Sequence, residues 1–354
     1  MKEEKRLRIG ITQGDINGIG CEVILKTLSD ARILELCTPV LYSSPKVIAY
    51  YRKALNLSNF NTFGIQSAEE ISDNKINVIN VLTDDIRVEI GKSTPHGGEA
   101  SFLSLQAAVK DIKDGFLDAL VTAPINKQNI QSDKFHFPGH TEYLQSMFNA
   151  ENVLMLMISD KLRLGMLTGH VALSSVPSLI TEERILSELS LINRSMLEDF
   201  GISKPKIAVL SLNPHAGDNG LFGNEEQTII IPAIEKARNS GIMAFGPYPS
   251  DGFFGSDNYR KFDVILAMYH DQGMTAFKAL SFESGVNCTI GLPIVRTSPA
   301  HGTAYDLVGK DLASPESFRQ ALYAACDIAR NRRQYKSLKQ NAMKEVEIRH
   351  DGDN

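Results

Sequence analysis

The 354-residue sequence has no excess of basic residues. Its 37 Lys and Arg residues are outnumbered by 42 Asp and Glu residues, which gives a formal net charge of -5. A chain without a basic field does not attract the phosphate backbone of nucleic acids, so no nucleic-acid partner is expected. Binding of a small anion would therefore depend on individual basic residues at its binding site.

Long apolar segments are also missing. The amino-terminal MKEEKRLRIGITQGD puts mixed charges directly before a short apolar stretch and contains no small-residue cleavage site, unlike an export signal. Hydrophobic residues make up 43% of the chain and charged residues 22%, which are ordinary globular values. We therefore expect a soluble, cytoplasmic protein with no membrane partner.

Cysteine is scarce in the sequence. The four cysteines lie far apart and form no CxxC pair: Cys21, Cys37, Cys288 and Cys326. This spacing indicates neither a zinc knuckle nor a disulfide framework, and it is typical of buried thiols in a reducing compartment.

The dinucleotide-binding fingerprint is absent. GxGxxG starting at Gly18 would need glycine or alanine at position 23, where Val23 stands. The glycines of this loop equally suit a tight turn into a helix. Asp15 and Asn17 in the same loop are nevertheless predicted at the carboxyl end of the first strand, where α/β folds place their sites.

A P-loop is absent as well. GKST at 91–94 resembles the end of one, but Ile86 occupies the position that requires glycine. Pro95 is expected to interrupt the helix that should follow. GKST is therefore predicted to be a surface turn.

Short aliphatic runs alternate with helix-like segments along most of the chain, which predicts βα units around a largely parallel sheet. Strands are predicted at 6–12, 38–43, 76–81, 117–123, 206–212 and 262–269, and helices at 99–115, 181–201 and 314–348, before a polar HDGDN end. VLMLMISDKLRLGMLT (153–168) is two apolar runs around a polar SDK turn. It predicts a hairpin, and hence a mixed sheet.

Three histidines share one sequence context. RLGMLTGH ends at His170, KIAVLSLNPH at His215 and FDVILAMYH at His270. If these apolar runs are strands, three neutral imidazoles emerge at strand ends and suit a divalent ion such as zinc or cobalt. One such histidine is more often structural, but the repetition and the adjacent Asp271, a candidate orienting partner for His270, favour a shared metal site.

A further group of residues suits anion binding. Lys278, Asn287 and Arg296 lie in a stretch otherwise rich in small and apolar residues, a composition that can clamp phosphate or carboxylate. Each of them alone would be read as a surface residue. His140 and Thr141 in PGHTEYL are predicted at a helix start, another position that favours anions.

The chain contains, in this order, GDINGIGCE, TAPINK, FPGHTEYL, LTGH, LNPHAGDNGLFGNEE, GPYPSDGFF, YHDQGMTAFK and GLPIVRTSPAHGTAYDLVGK. Together these blocks resemble the motifs of the PdxA family, the 4-hydroxythreonine-4-phosphate dehydrogenases of pyridoxal phosphate synthesis, over roughly residues 6–335. The first block departs from the family's more usual GDPAGIGPE at Ile16, Asn17 and Cys21, but its glycines are kept.

This resemblance implies an α/β, two-domain fold similar to isocitrate and isopropylmalate dehydrogenases, with a mixed, largely parallel sheet and an interdomain cleft. The first domain would comprise residues 1–130 plus about 300–354, and the second about 131–299. The resemblance also implies a homodimer whose active site is completed by the second subunit.

Site residues follow from the same resemblance. The metal ligands would be His170, His215 and His270, holding one zinc, cobalt or magnesium ion. The substrate contacts would be His140, Thr141, Lys278, Asn287 and Arg296. PAHGTAYDLVGK resembles the adenosine-binding loop of the isopropylmalate relatives, which would place His301 and Asp306 near NAD, or NADP, without a GxGxxG motif.

The implied reaction is oxidation by NAD of the 3-hydroxyl of 4-phosphohydroxy-L-threonine, a small phosphorylated hydroxy-amino acid, followed by decarboxylation to 3-amino-2-oxopropyl phosphate. Lys278, Asp251 and Asp271 are candidates for the base that takes the hydroxyl proton. Two alternatives stay open. One is a dehydrogenase for four-carbon sugar-acid phosphates, threonate or erythronate 4-phosphate. The other is a metal-dependent lyase or hydrolase that uses no NAD.

Overall fold

The computed structural model describes residues 6–83 and 86–341. Its twelve strands are β1 (Arg8–Thr12), β2 (Thr38–Ser43), β3 (Phe63–Ile65), β4 (Asn77–Asn80), β5 (Ala119–Thr122), β6 (Leu154–Ile158), β7 (Arg163–Thr168), β8 (Ile207–Leu210), β9 (Ala244–Tyr248), β10 (Val264–Tyr269), β11 (Val286–Ile290) and β12 (Val295–Pro299). They form one sheet in the order β3-β4-β2-β1-β5-β12-β11-β6-β7-β10-β8-β9.

Eleven α-helices flank the sheet in the described residues: α1 (Gly20–Leu28), α2 (Ile33–Leu36), α3 (Pro45–Ala54), α4 (Pro95–Lys113), α5 (His140–Met147), α6 (Val176–Leu179), α7 (Glu182–Glu198), α8 (Ile231–Asn239), α9 (Ser250–Gly255), α10 (His270–Ser281) and α11 (Glu316–Gln340). Short 3-10 turns lie at Ala68–Glu70, Leu173–Ser175 and Asn258–Lys261, and a π-helical turn at Glu226–Ile230 leads into α8. Within these residues, no helix has both the length and the apolar character needed to cross a membrane.

Strand direction changes in the middle of the sheet. β12 with β11, β11 with β6, and β6 with β7 pair antiparallel, whereas every other pairing between these strands is parallel. β6 and β7 are the predicted hairpin, and the Ser159 backbone N–H donates to the Leu162 carbonyl across its turn at 3.0 Å. The predicted mixed, largely parallel α/β sheet is therefore confirmed, while its division into two domains stays a prediction.

Apolar side chains are buried on both faces of the sheet. All six residues of β2 are buried, as expected for a parallel strand covered by helices on both sides. Leu41 joins a hydrophobic cluster that includes Ile24 of α1, whereas its neighbour Val40 joins a cluster that includes Leu105 of α4. Successive residues of a strand point to opposite faces, so this continuous apolar run serves two layers of core.

The start of α4 corrects one expectation from the sequence. Pro95 does not interrupt a helix. It lies in the first turn of α4, after Thr94, whose hydroxyl accepts a hydrogen bond from the Gly97 backbone N–H at 3.1 Å. Proline is tolerated there because the first helical N–H groups have no partner within the helix.

The two other predicted helices are confirmed in their described parts. α7 starts after Thr181, whose hydroxyl accepts from the Arg184 backbone N–H at 3.2 Å. α11 ends at Gln340. The rest of that predicted helix, from residue 342, and the polar carboxyl end lie outside the described residues.

Candidate active site

A cavity of about 380 Å³ lies where the residues after β5 and β12 meet the residues after β7 and β10. An adjoining cavity of about 450 Å³ shares part of its wall, including His140, His170 and Arg296. We call the two cavities together the cleft. Their size suits a small ligand. The polar side chains in the wall include Lys127, His140, Thr141, Glu142, His170, Arg184, Glu188, His270, Lys278, Asn287, Arg296 and His301.

Arg296 is the most deeply buried cation of the cleft, with 3% of its surface exposed. Its Nε and Nη2 donate to the Thr122 hydroxyl at 3.1 and 2.8 Å, and its Nη1 donates to the Thr289 hydroxyl at 3.0 Å. Burial lowers the pKa of the guanidinium to about 10, which leaves it charged at neutral pH. Because no carboxylate of the described chain accepts a hydrogen bond from it, Arg296 retains donors for an anion.

Four side chains of the wall have a buried atom without a hydrogen-bond partner in the described chain. They are Nε2 of His140, the first residue of α5, Oδ1 of Asn287 on β11, Oε2 of Glu188 and Nε2 of His301. Burial, with the charges of Arg296 and Lys127, holds the pKa of His140 well below its usual range, so its imidazole is neutral at neutral pH. Unpaired buried polar atoms cost free energy, and a polar ligand would relieve that cost.

Two of the three predicted metal ligands lie together in the cleft. The ring centroids of His170 and His270 are 5.3 Å apart. Nδ1 of His270 is 2.7 Å from Oδ1 of Asp271, which leaves Nε2 of His270 for a ligand. Burial, then the charges of Lys127 and His270, lower the pKa of His170, and this favours the neutral imidazole that metals bind.

His215 is not brought to this pair. It is exposed on the Pro214–Gly220 turn, where residues 215–219 all have positive φ angles of 42° to 79°, and its ring faces Phe222 at a centroid distance of 6.3 Å. Among residues 6–83 and 86–341, no three His, Cys, Asp or Glu side chains are grouped closely enough to hold a metal ion. The arrangement therefore fits a divalent ion only in part, with two imidazoles.

Some of the remaining predicted residues line the cleft, and others do not. Lys278 and His301 lie in the wall, and the buried Nε2 of His301 has no partner in the described chain. Asp271 is largely exposed and contacts His270. Asp251, in the first turn of α9, and Asp306 are exposed, and neither belongs to the wall of the cleft.

Sequence reasoning missed four charged residues of the wall: Lys127, Glu142, Arg184 and Glu188. Lys127 follows β5 in TAPINK, and its position just after a buried strand was the available signal. Glu188 is buried on α7 three residues after Ile185, within the apolar face of that helix, and burial raises its pKa to about 7. A carboxyl on the apolar face of an amphipathic helix was the signal there.

The first glycine loop has a structural role. Asp15 is fully buried and accepts hydrogen bonds from the Asn17 backbone N–H at 2.9 Å, Asn129 Nδ2 at 2.8 Å and the Tyr305 hydroxyl at 2.6 Å. A Cβ on Gly14 would lie 2.3 Å from the Pro124 carbonyl oxygen, so glycine is required for this close approach. The loop ties the segments after β5 and β12 together beside the cleft.

Comparison with known proteins identifies relatives along nearly the whole chain. Residues 35–325 match the family model described as pyridoxal phosphate biosynthetic protein PdxA. A 4-hydroxythreonine-4-phosphate dehydrogenase from Bacteroides thetaiotaomicron is 52% identical, with 99% of this chain and 97% of that protein covered. A protein from Oceanobacillus iheyensis, provisionally named D-threonate 4-phosphate dehydrogenase, is 39% identical over 92% of this chain and 98% of its own length.

Solved structures agree with these sequence relatives. The crystal structure of 4-hydroxythreonine-4-phosphate dehydrogenase from Klebsiella pneumoniae is 33% identical, covers 92% of this chain and 100% of its own, and superposes with a TM-score of 0.78.

Proposed function

The chain belongs to the PdxA family, and we propose that it is a dehydrogenase that oxidises 4-phosphohydroxy-L-threonine with NAD and releases carbon dioxide. The observation that carries this proposal is the charge of the cleft. Lys127, Lys278 and Arg296 all line it, and none of the three forms a salt bridge with an acid of the described chain. A substrate with a phosphate and a carboxylate would supply the missing negative charge.

The reaction has two steps. A hydride passes from C3 to NAD while the hydroxyl proton passes to a base, which gives a 3-keto acid. Carbon dioxide then leaves, the electron pair of the broken C–C bond forms an enolate with the ketone, and protonation at C2 gives 3-amino-2-oxopropyl phosphate. The chain must therefore bind both anionic ends and move one proton in each step.

We assign anion binding to the deep part of the cleft. Arg296 is held by two threonine hydroxyls, so its position does not depend on the substrate. Asn287 and His140 present unpaired polar atoms, and a neutral His140 can donate one hydrogen bond to a substrate oxygen. Thr141 at the start of α5 completes the proposed substrate contacts.

Lys278 is the base that we propose for the hydroxyl proton. Of the three candidates it is the one in the wall of the cleft, whereas Asp271 is engaged with His270 and Asp251 is on the exposed α9. Lys278→Met should lower kcat by about 10²–10⁴-fold, the usual contribution of general base catalysis. Near-normal turnover of this variant would remove Lys278 from the role.

Metal and NAD binding are part of the proposal. A divalent ion at His170 and His270 would act as a Lewis acid on the substrate oxygen, and zinc, cobalt and magnesium are the candidates. We propose His215 as the third ligand, which requires its turn to move toward the pair. His301 and Asp306 are the residues proposed to be near NAD, with NADP as the alternative, and a homodimer that completes the site belongs to the same proposal.

The test is NADH formation by the purified protein with NAD, a divalent metal and 4-phosphohydroxy-L-threonine, with D-threonate 4-phosphate in parallel and a chelator control. Metal-dependent turnover of the amino substrate is expected. Preference for threonate phosphate would instead favour the second candidate, which the Oceanobacillus relative suggests. No NADH from either substrate would overturn the dehydrogenase and favour a lyase.

A further inference from the structure

We propose that Lys127 binds the phosphate group of the substrate and that it largely sets the requirement for a phosphorylated substrate. This inference rests on the proposed function for the identity of the substrate. Lys127 lies in the wall of both cavities of the cleft, five residues after the end of β5.

The position of Lys127 beside α5 is the first argument. A Cβ on Gly139, the residue before α5, would be 3.6 Å from Cε of Lys127, so the lysine chain passes along the amino end of that helix. No side chain caps this end. The free N–H groups and the helix dipole make the amino end of α5 positive, and a second positive charge beside it is unfavourable unless an anion binds between them.

The neighbours of Lys127 give the second argument. Lys127 lines both cavities of the cleft together with His140, at the start of α5, and His170 of the histidine pair. On the α5 side lie the unpaired Nε2 of His140 and the buried Arg296, with no carboxylate bonded to the guanidinium in the described chain. These cationic and donor groups converge on one part of the cleft.

Nearby acids do not cancel this charge. Glu142, in the first turn of α5, lines the adjoining cavity, and its Oε2 would be 3.5 Å from the Cβ on Gly139. Lys127 nevertheless forms no salt bridge with Glu142 or with any other acid in the part of the chain that is described. A dianionic phosphate is the ligand group whose charge matches a lysine, an arginine and a helix amino end together.

The test compares phosphorylated and unphosphorylated substrate in Lys127→Met. Loss of one charge-assisted contact should raise KM for 4-phosphohydroxy-L-threonine by about 10- to 100-fold, with a smaller change in kcat. The kcat/KM for 4-hydroxy-L-threonine, which lacks the phosphate, should stay unchanged. Lys127→Arg should restore part of the loss, because it keeps the positive charge.

Lys134→Met is the matched control, since Lys134 is an exposed lysine of the same loop that lies outside the wall of the cleft. It should behave as the unaltered protein. If Lys127→Met lowers kcat/KM equally for both substrates, Lys127 acts on the reacting atoms or on the structure, and the proposal is wrong.

Binding of inorganic phosphate by calorimetry separates this proposal from the proposed dehydrogenase. The unaltered protein and Lys134→Met should bind phosphate, with Lys127→Met at least about 10-fold weaker. If no substrate yields NADH but this difference is found, the phosphate site stands and the dehydrogenase fails. Equal phosphate affinity in all three proteins would overturn the role of Lys127.

Discussion

Two groups of buried polar residues, the Asp15 cluster and the polar residues of the cleft, lie near the carboxyl ends of β1, β5 and β12. They differ in whether their polar atoms have hydrogen-bond partners within the protein. In the Asp15 cluster, Asp15 and Asn17 bond to residues from three other segments, and Asn17 Nδ2 donates to the Thr94 hydroxyl at 2.9 Å. In the cleft, His140 Nε2 and Asn287 Oδ1 have no partner in the described chain.

Whether the hydrogen bonds of a buried residue are satisfied within the protein distinguishes structural residues from ligand-binding residues more clearly than the residue type does. A buried polar group that is satisfied within the protein stabilises the fold, whereas one left without a partner costs stability unless a ligand binds it. Substitutions should therefore move stability in the Asp15 cluster and activity in the cleft.

Among the substitutions that compare the Asp15 cluster with the cleft, the largest effect is expected at Arg296. Arg296→Met should lower kcat/KM by about 10²–10³-fold, because the buried cation that we propose to contact the anionic substrate is lost. The free energy of unfolding should change by less than about 1 kcal/mol, since removal of a buried charge without a carboxylate partner offsets the lost hydrogen bonds to Thr122 and Thr289. Steady-state kinetics and urea unfolding measure the two quantities. If Arg296→Met loses much stability but retains activity, Arg296 has a structural role like that of the Asp15 cluster.

Asp15→Asn should give the opposite result. The amide loses charge-assisted hydrogen bonds to Asn129 and Tyr305, so the free energy of unfolding should fall by about 2–4 kcal/mol. Urea unfolding checks this, with Asp133→Asn as the control because Asp133 is exposed and should change stability by less than about 0.5 kcal/mol. Equal stability of the two variants would contradict a structural role for the cluster.

The destabilisation caused by burying the Glu188 carboxylate in the cleft can be measured from the pH dependence of the free energy of unfolding. The pKa of Glu188 is about 7 in the folded protein against 4.5 for the free side chain, so the unfolded chain loses the proton first as pH rises. Stability should therefore fall between about pH 4.5 and pH 7. Glu188→Gln should remove this fall and be more stable at pH 8 by about 1–3 kcal/mol. If the free energy of unfolding changes with pH in the same way in the unaltered protein and in Glu188→Gln, burial of Glu188 does not cause the loss of stability.

The smallest effect is expected in the left-handed turn that carries His215. Ala216 has a φ of 54°, which costs a residue with a Cβ about 1 kcal/mol. Ala216→Gly should raise the free energy of unfolding by about 0.5–1 kcal/mol, whereas Ala54→Gly, at the exposed end of α3, should lower it by a similar amount. Destabilisation by both substitutions would mean that the turn is not strained.

Much of the fold could be predicted from local patterns. The hairpin of β6 and β7 follows from two apolar runs around SDK, and α7 from Thr181 as its cap. Pro95 was read wrongly because proline breaks a helix interior but suits its first turn, and the boundary was placed too late. Such errors concern element ends, which depend on a few residues.

The candidate site was predicted less completely. His140, His170, His270, Lys278, Asn287, Arg296 and His301 were named from the sequence and do lie in one wall. The sequence pattern treated His215 as equivalent to His170 and His270, but in the structure His215 does not line the cleft with them. Lys127 was missed because its position just after a buried strand was the one available signal, and an exposed lysine is usually a surface residue without a ligand.

The sequence by itself determined the elements, because helix periodicity, caps and turn residues act over a few neighbouring positions. Only the tertiary structure decided which strand ends meet. The order β5-β12-β11-β6-β7-β10 brings Lys127, His170, Arg296 and His270 into one cleft although they are separated by up to 169 positions in the numbering, between 127 and 296. That strand order depends on packing between distant segments. The same packing decides which buried polar groups find a hydrogen-bond partner within the protein and which are left to bind a ligand.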